Sequence, residues 1–136
     1  MRKKTTILAT VCVIIVVVVF FEFYVFKTST PQATTVSIVM SDPSAWVNKT
    51  VAVEGNISFY MTLVSMPWNY QLSSNGATIG VSWQRNYDFL FNGTNWVNTA
   101  NVLVLGVITE GQVTPPISGA HTYNVYFIEA ESIDTL

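Results

Sequence analysis

Residues 50–59, TVAVEGNISF, decide the fold of most of this chain. Their side chains alternate between two faces, which is the period of a strand with one face in a core. Gly55 falls on the apolar face, where a residue without a Cβ suits a bulge or a sharp bend. The segment therefore predicts a coiled strand of a small barrel. Its apolar face contains Val51, Val53, Ile57 and Phe59, and its other face contains Ala52, Glu54, Asn56 and Ser58.

A hairpin is predicted downstream of this strand. Pro67 excludes a central strand position, so a loop is expected around residues 65–68. Ser74-Asn75-Gly76 predicts a tight turn, because Asn-Gly accepts positive φ. Strands at residues 69–73 and 77–83 are expected to pair across this turn.

Two more strands are predicted near the C-terminus. Residues 101–109, NVLVLGVIT, are apolar on both faces and predict the most buried strand. Residues 122–130 predict the last strand, after a Gly/Pro loop at 110–120. The polar connection at residues 84–99 is expected to contain one helical turn near Tyr87 to Phe91.

The segment before the first long strand predicts smaller elements. Residues 36–40 favour a short leading strand. Ser41-Asp42-Pro43 then predicts the start of a helical turn, because a capping side chain is followed by proline. Asn48-Lys49 turns the chain into the strand at residue 50.

Five main strands in this order resemble the OB fold, a five-stranded Greek-key barrel. The resemblance is carried by TVAVEGNI at 50–57, by VLVLGVI at 102–108 and by FIEAESI at 127–133, and it covers residues 36–133. It implies a fold but no particular function. An immunoglobulin-like sandwich is the alternative, which would need about seven shorter strands.

A membrane anchor is predicted at Ile7 to Phe26, ILATVCVIIVVVVFFEFYVF, with Glu22 as its only charge. A helix of this length spans about 30 Å, the thickness of a bilayer core. The basic residues Arg2, Lys3 and Lys4 predict a cytoplasmic N-terminus. The expected architecture is therefore an all-β, OB-fold-like small β-barrel preceded by a single transmembrane α-helix.

Alternatives to an uncleaved signal anchor fit the sequence less well. A cleaved signal peptide has a shorter apolar run and a small-residue cleavage site. A lipoprotein signal would need a small residue before Cys12, where Val11 stands, and a pilin would need Gly or Ala where Thr5 stands. Glu22 has two interpretations: a carboxylate reaching the lipid headgroups, or an intramembrane contact with a partner helix.

The predicted organisation is a cytoplasmic tip (1–6), a transmembrane helix (7–26), a polar stalk (27–35) and an extracytoplasmic domain (36–136). From Thr28 onward two basic residues stand against seven acidic ones, a net charge of −5. An acidic domain repels phosphate backbones, so nucleic acid is not an expected partner.

No catalytic, cofactor-binding or metal-binding set is predicted. His121 is the only histidine and has no Cys, Asp or Glu at ligand spacing, so an exposed loop position is expected. Glu129 and Glu131 lie two apart on the last predicted strand and are interpreted as a solvated face. The sequence therefore gives no reason to expect an enzyme.

Aromatic residues in the middle of the domain form the predicted binding set. OB folds stack bases on aromatic side chains in a basic groove, but here Arg85 is the only cation nearby. Packing in the core or against a partner protein is therefore favoured over nucleic-acid or glycan binding. The residues are Trp68, Tyr70, Trp83, Tyr87 and Trp96.

An anchored OB fold outside the cytoplasm also resembles the haem chaperone of cytochrome c maturation. That family attaches haem to a His or Cys in a motif after its last strand. Here residues 133–136, IDTL, contain neither residue, so haem attachment is not expected.

Three asparagines are candidates for glycosylation because each begins an Asn-x-Ser/Thr sequon. Asn48 and Asn92 lie in predicted turns, and Asn56 faces outward on its strand. Low charge together with many Thr, Asn, Tyr and Val residues resembles the composition of surface proteins of thermoacidophilic archaea.

The leading hypothesis is a non-catalytic, single-pass protein of the cell membrane. It would be an accessory subunit of a membrane complex or a cell-envelope component, with lipid contacts at residues 7–26 and protein contacts outside the cytoplasm. The alternatives are a ligand-binding or haem/cofactor chaperone and a single-stranded nucleic-acid or glycan binding module.

Overall fold

The computed structural model describes residues 10–17, 31, 33–62 and 65–136. The chain divides into two compact units, residues 1–30 and residues 31–136. In the first unit residues 10–17 are helical and exposed. No helix among the described residues has the length and apolar character needed to cross a membrane.

Most of the predicted anchor lies outside the described residues. This applies to Glu22, to the basic residues 2–4 and to all of Ile7 to Phe26 except residues 10–17. The transmembrane helix and its orientation therefore stay predictions.

The second unit is a small, mostly β domain with a short helix near its start. Two 3-10 turns, Pro43–Trp46 and Asp88–Leu90, lie in its connections. In chain order the other elements are β1 (Ala33–Thr35), α1 (Val36–Ser41), β2 (Thr50–Phe59), β3 (Tyr70–Ser74), β4 (Ala77–Ser82), β5 (Thr99–Val113) and β6 (Tyr123–Thr135).

Five of these strands close into a barrel, because β2 pairs on both sides. It runs antiparallel to β5 from Thr50 to Ser58 and antiparallel to β3 from Asn56 to Phe59. The circuit is completed by β3–β4, the parallel pair β4–β6 and the antiparallel pair β5–β6. The order β2-β3-β4-β6-β5-β2 is consistent with an OB-like fold, so the predicted five-stranded β-barrel is confirmed.

The hairpin turn and both helical turns lie where the sequence predicted them. Asn75 and Gly76 have φ values of 50° and 77°, which a type I′ turn requires. The last two strands are longer than expected, and β5 alternates instead of burying both faces. Val102, Val104 and Ile108 of β5 are fully buried, whereas Leu103, Leu105 and Val107 are half-buried.

The predicted leading strand at residues 36–40 is wrong, since these residues form α1. Val36 and Val39 are three apart, so one helical face places both in the core, where each is fully buried. The Ser74 hydroxyl also accepts a hydrogen bond of 3.0 Å from the Val36 N–H. Packing has overridden the strand preference of β-branched side chains.

The end of the predicted stalk is also part of the domain. Ala33, Thr34 and Thr35 form β1 and pair in parallel with Ala52, Val53 and Glu54 of β2. The backbone N–H and C=O groups of a polar segment can form hydrogen bonds to a sheet edge or to water. Composition alone therefore does not distinguish an edge strand from a solvated stalk.

The barrel interior is filled by alternating side chains from all five strands, and no charged, amide, Ser or Thr side chain is buried among the described residues. Gly106 lies at a β-bulge, where the β5–β6 register shifts between Leu105 and Gly106. A Cβ on Gly106 would lie 2.7 Å from Ile128 Cγ2 and 2.9 Å from Ala130 Cα, and it would also overlap the Glu129 carbonyl oxygen. The bulge brings β6 this close to β5 and so helps to close the barrel.

Replacing Gly106 with alanine is expected to destabilise the domain by about 2–3 kcal/mol, because backbone atoms block the added methyl group. Thermal unfolding of the full chain in mild detergent measures the loss. Gly111→Ala in the same strand is the control. Its Cβ would meet only side-chain atoms, with Phe127 Cε1 the nearest at 3.2 Å, and less than about 1 kcal/mol should be lost. Equal effects of the two changes would contradict this account of the bulge.

Candidate functional site

An open cleft at one end of the barrel is the candidate site. It lies between the end of β2, the start of β3 and the β4–β5 connection, and its volume is about 640 Å³. This volume lies within the range of small-molecule and side-chain pockets. The lining residues are Ser58, Phe59, Tyr70, Tyr87, Leu90, Trp96, Val97, Asn98 and Thr99.

Two groups of aromatic rings form the walls of this aromatic cleft. The Phe59 and Tyr70 rings meet edge to face with centroids 5.6 Å apart, and Tyr70 meets Phe89 in the same way at 5.3 Å. On the other wall the Tyr87 and Trp96 centroids are 6.3 Å apart. Edge-to-face contacts are favourable for aromatic pairs, so the rings hold one another in place.

Trp96 is presented by a tight hairpin. Phe91 and Trp96 form an isolated antiparallel bridge, and their ring centroids are 5.3 Å apart. Gly93 has a φ of 88°, in the left-handed region that glycine adopts without strain. The Asn92 side-chain oxygen accepts the N–H groups of Thr94 (3.1 Å) and Asn95 (2.8 Å). This small polar turn therefore fixes two exposed aromatic residues side by side.

The 3-10 turn Asp88–Leu90 attaches this hairpin to the barrel. Its Phe89 and Leu90 are buried and cover the end of the core. The Leu90 carbonyl accepts the Val97 N–H at 2.8 Å, which joins the turn to the residue after Trp96. The Asn86 side-chain amide also donates to the Asp88 carboxylate. The exposed rings thus rest on a structured base.

The cleft is uncharged, since none of the described residues that line it is acidic or basic. Its polar groups belong to Ser58, Asn98, Thr99 and the two tyrosines. Burial raises the pKa of the Tyr70 hydroxyl above its ordinary value of 10.0, and interaction with Tyr87 adds to this rise. The Tyr70 hydroxyl is therefore a neutral hydrogen-bonding group at physiological pH.

Three of the five predicted binding aromatics, Tyr70, Tyr87 and Trp96, meet in this cleft. The other two line a different concavity, together with Arg85. Trp68 lies over Gly80 on the outside of the barrel, with its ring centroid 5.9 Å from that of Phe127.

Trp83 has a structural role. Its indole N–H donates to the Asn86 carbonyl at 2.8 Å, and the Arg85 guanidinium lies 5.5 Å from its ring. Its backbone N–H and carbonyl both bond to the Asn69 side chain, at 2.9 and 2.6 Å. These bonds extend the β3–β4 pairing beyond the ends of both strands.

Three phenylalanines in or beside the cleft were not in the predicted binding set. Phe59 was expected on the buried face of its strand, but at the barrel end it is 55% exposed and lines the cleft. The Phe89 ring packs edge to face against Tyr70, and the Phe91 ring packs against the Trp96 ring. The sequence could have indicated that Phe91 lies beside Trp96, because the two residues flank the turn sequence Asn-Gly-Thr-Asn.

The remaining candidates are placed on the surface. His121 is exposed in the loop before β6, as expected, and Glu129 and Glu131 are exposed on β6. The glycosylation candidates Asn48, Asn56 and Asn92 are all exposed, in a turn, in β2 and in the hairpin. No group of three or more His, Cys, Asp or Glu residues is placed to hold a metal ion in the described part of the chain.

Comparison of the chain with protein-family models, with curated proteins and with solved structures finds no match. The resemblance to the haem chaperone therefore remains a prediction.

The raised pKa of Tyr70 predicts a pH effect on stability. Between the pKa of the unfolded chain, about 10, and the higher pKa of the folded domain, the folded state holds one proton that the unfolded state has lost. The free energy of unfolding should therefore fall as the pH rises above about 10. Tyr70→Phe should flatten this fall, as measured by chemical denaturation at several pH values. An equally steep fall in Tyr70→Phe would contradict the raised pKa of this hydroxyl.

Proposed function

We propose that this protein is a non-catalytic binding module that is anchored in a membrane and contacts a partner protein outside the cytoplasm through the aromatic cleft. The single observation that carries the proposal is the cluster of exposed rings on a structured base. Phe59 is 55% exposed, Tyr87 56% and Trp96 63%, around one concavity.

Exposed rings of this kind are costly unless something covers them. Contiguous apolar patches are rare on monomeric surfaces and mark binding sites. Trp and Tyr are enriched at the centres of protein interfaces, where they bury large areas while their polar atoms keep hydrogen bonds. Tyr87 and Trp96 offer this combination here.

Charge defines the partner further. The cleft is neutral, but the domain from Thr28 onward carries −5, and the exposed Asp88 directly follows Tyr87. The expected partner segment therefore inserts an apolar side chain and has neutral or basic residues beside it. An acidic segment or a phosphate backbone would be repelled, which disfavours nucleic acid.

The predicted anchor supports the same function. A transmembrane helix at residues 7–26 with Arg2, Lys3 and Lys4 inside would hold the barrel at the outer membrane surface. Confinement to a membrane raises the effective concentration of a small contact surface toward other membrane proteins. A weak aromatic contact is then sufficient for stable association.

A small neutral ligand is the second candidate occupant. The volume of about 640 Å³ and the mixture of rings with a few hydrogen-bonding groups, Ser58, Asn98 and Thr99, favour it. It would need no partner chain, and native mass spectrometry of the purified protein would detect it.

Site-specific photo-crosslinking in native membranes tests the leading proposal. A benzophenone amino acid at position 96 should give a discrete adduct with one protein. Trp96→Ala and Phe59→Ala should lower the amount of that protein that co-purifies in mild detergent by about 30-fold, because each removes a ring from the centre of the contact.

Ile117 supplies the matched control, since it is 72% exposed but lies in the β5–β6 loop and not in the cleft. The same crosslinker at position 117 should give no such adduct, and Ile117→Ala should leave co-purification unchanged. A monomer with a bound small molecule in place of the adduct would favour the second candidate. Equal adducts at both positions would contradict the proposal.

A further inference from the structure

We infer that Asn92 is the preferred N-glycosylation site of the domain and that its first sugar packs on the Phe91 ring. The inference rests on the proposed function, which places the domain outside the cytoplasm. It accounts for Phe91, which is 44% exposed but does not line the aromatic cleft.

The Asn92 amide is held in a conformation suited to reaction. Its oxygen accepts hydrogen bonds from the N–H groups of Thr94 and Asn95, so the oxygen points into the turn. Its nitrogen, on the other side of the same planar amide, makes no hydrogen bond to the described residues. Asn92 and Thr94 are both exposed. The group that must form the new bond is therefore accessible.

The other two sequons are tied to the barrel. Asn56 lies in β2 between two paired strands, and its amide nitrogen donates to the Asn101 side chain at 3.1 Å. The Asn48 N–H donates to the Ile108 carbonyl at 2.8 Å, and the Lys49 carbonyl accepts the Ile108 N–H at 3.1 Å. Drawing either backbone into an enzyme would break sheet pairing, whereas the hairpin at 91–96 bonds mainly to itself.

Glycosylation of Asn92 needs a polyprenyl-phosphate-linked oligosaccharide as the donor and a membrane-bound transferase. A bond forms between Asn92 Nδ2 and C1 of the first sugar, and the bond from C1 to the lipid phosphate oxygen breaks. The phosphate leaves with the electron pair, and one amide proton passes to a base of the transferase. Such donors and enzymes act on the outer side of membranes, where the domain is proposed to lie.

The ring beside the sequon offers the sugar a contact surface. Phe91 directly precedes Asn92, and its ring is held against Trp96 by the bridge between the two residues. A pyranose presents C–H groups on one face, and the negative face of an aromatic ring attracts them. A glycan at Asn92 would cover Phe91 and leave Phe59 and Tyr87 open in the cleft.

The test expresses the full chain in yeast with one extra Asn-Gly-Thr sequon on a C-terminal peptide, which reports that the domain has crossed the membrane. Thr94→Ala, Thr50→Ala and Ser58→Ala remove the three natural sequons one at a time while keeping each asparagine. Glycosidase-sensitive gel shifts and peptide mass spectrometry of the folded fraction give the occupancy. Asn92 should be occupied in most molecules and at least about fivefold more than Asn56, and only Thr94→Ala should lose the main shift.

The reporter separates the possible failures. An occupied reporter with bare Asn92 overturns this inference and leaves the outer location intact. A reporter sequon without a glycan means that the domain stays in the cytoplasm. That result would overturn both the location given in the proposed function and this inference.

Melting temperatures test the contact with Phe91. Glycosylated protein should melt about 3 °C above Thr94→Ala, which keeps Asn92 but carries no glycan there. The same comparison in a Phe91→Ala background should give less than about 1 °C, because the ring that holds the sugar is gone. An equal difference in both backgrounds would overturn the packing of the sugar on Phe91.

Discussion

The double pairing of β2 is the constraint on which the rest of the domain depends. Residues 50–58 pair with β5 on one side, and residues 56–59 pair with β3 on the other. One coiled strand therefore belongs to both halves of the barrel and closes it. Gly55 directly precedes Asn56, the first residue of β2 that pairs with β3. A Cβ on Gly55 would lie 2.8 Å from the Ser73 carbonyl oxygen. Closure also fixes the aromatic cleft, since β2 ends at Phe59 and β5 starts at Thr99 beside it.

The barrel interior and the cleft are both lined mainly by apolar side chains, but these side chains have different roles in the two places. Inside the barrel, aliphatic residues from alternating strand positions fill the space and leave no buried charged or amide side chain among the described residues. At the open end, where no strand continues, Phe59 extends the apolar surface outward and packs edge to face on the buried Tyr70. The residues after Asp88 complete the wall. A barrel end covered by rings, with no acidic or basic side chain lining the cleft, suits the recognition of an apolar group.

Alternation and turn chemistry made the barrel predictable from the sequence. The period of residues 50–59 and the Asn75-Gly76 turn identified β2 and the β3–β4 hairpin almost to the residue. Val36 to Met40 was misassigned because a short β-branched run fits a strand and a helix equally, and only packing on the core decides. Tyr70, Tyr87 and Trp96 were predicted as binding residues, but sequence spacing gave no means of separating them from Trp68 and Trp83. Phe59 was missed because a pattern along a strand does not reveal where the barrel ends.

Hydrogen exchange of the full chain in mild detergent, followed by mass spectrometry, tests the closed barrel most directly. Exchange reports the opening of each paired segment under native conditions. The amides of residues 50–58 and their partners at 99–107 should be the slowest to exchange and should open together in one cooperative step. Fast exchange at 50–58 with protection at 99–107 would mean an open sheet, and it would contradict both the barrel and the cleft at its end.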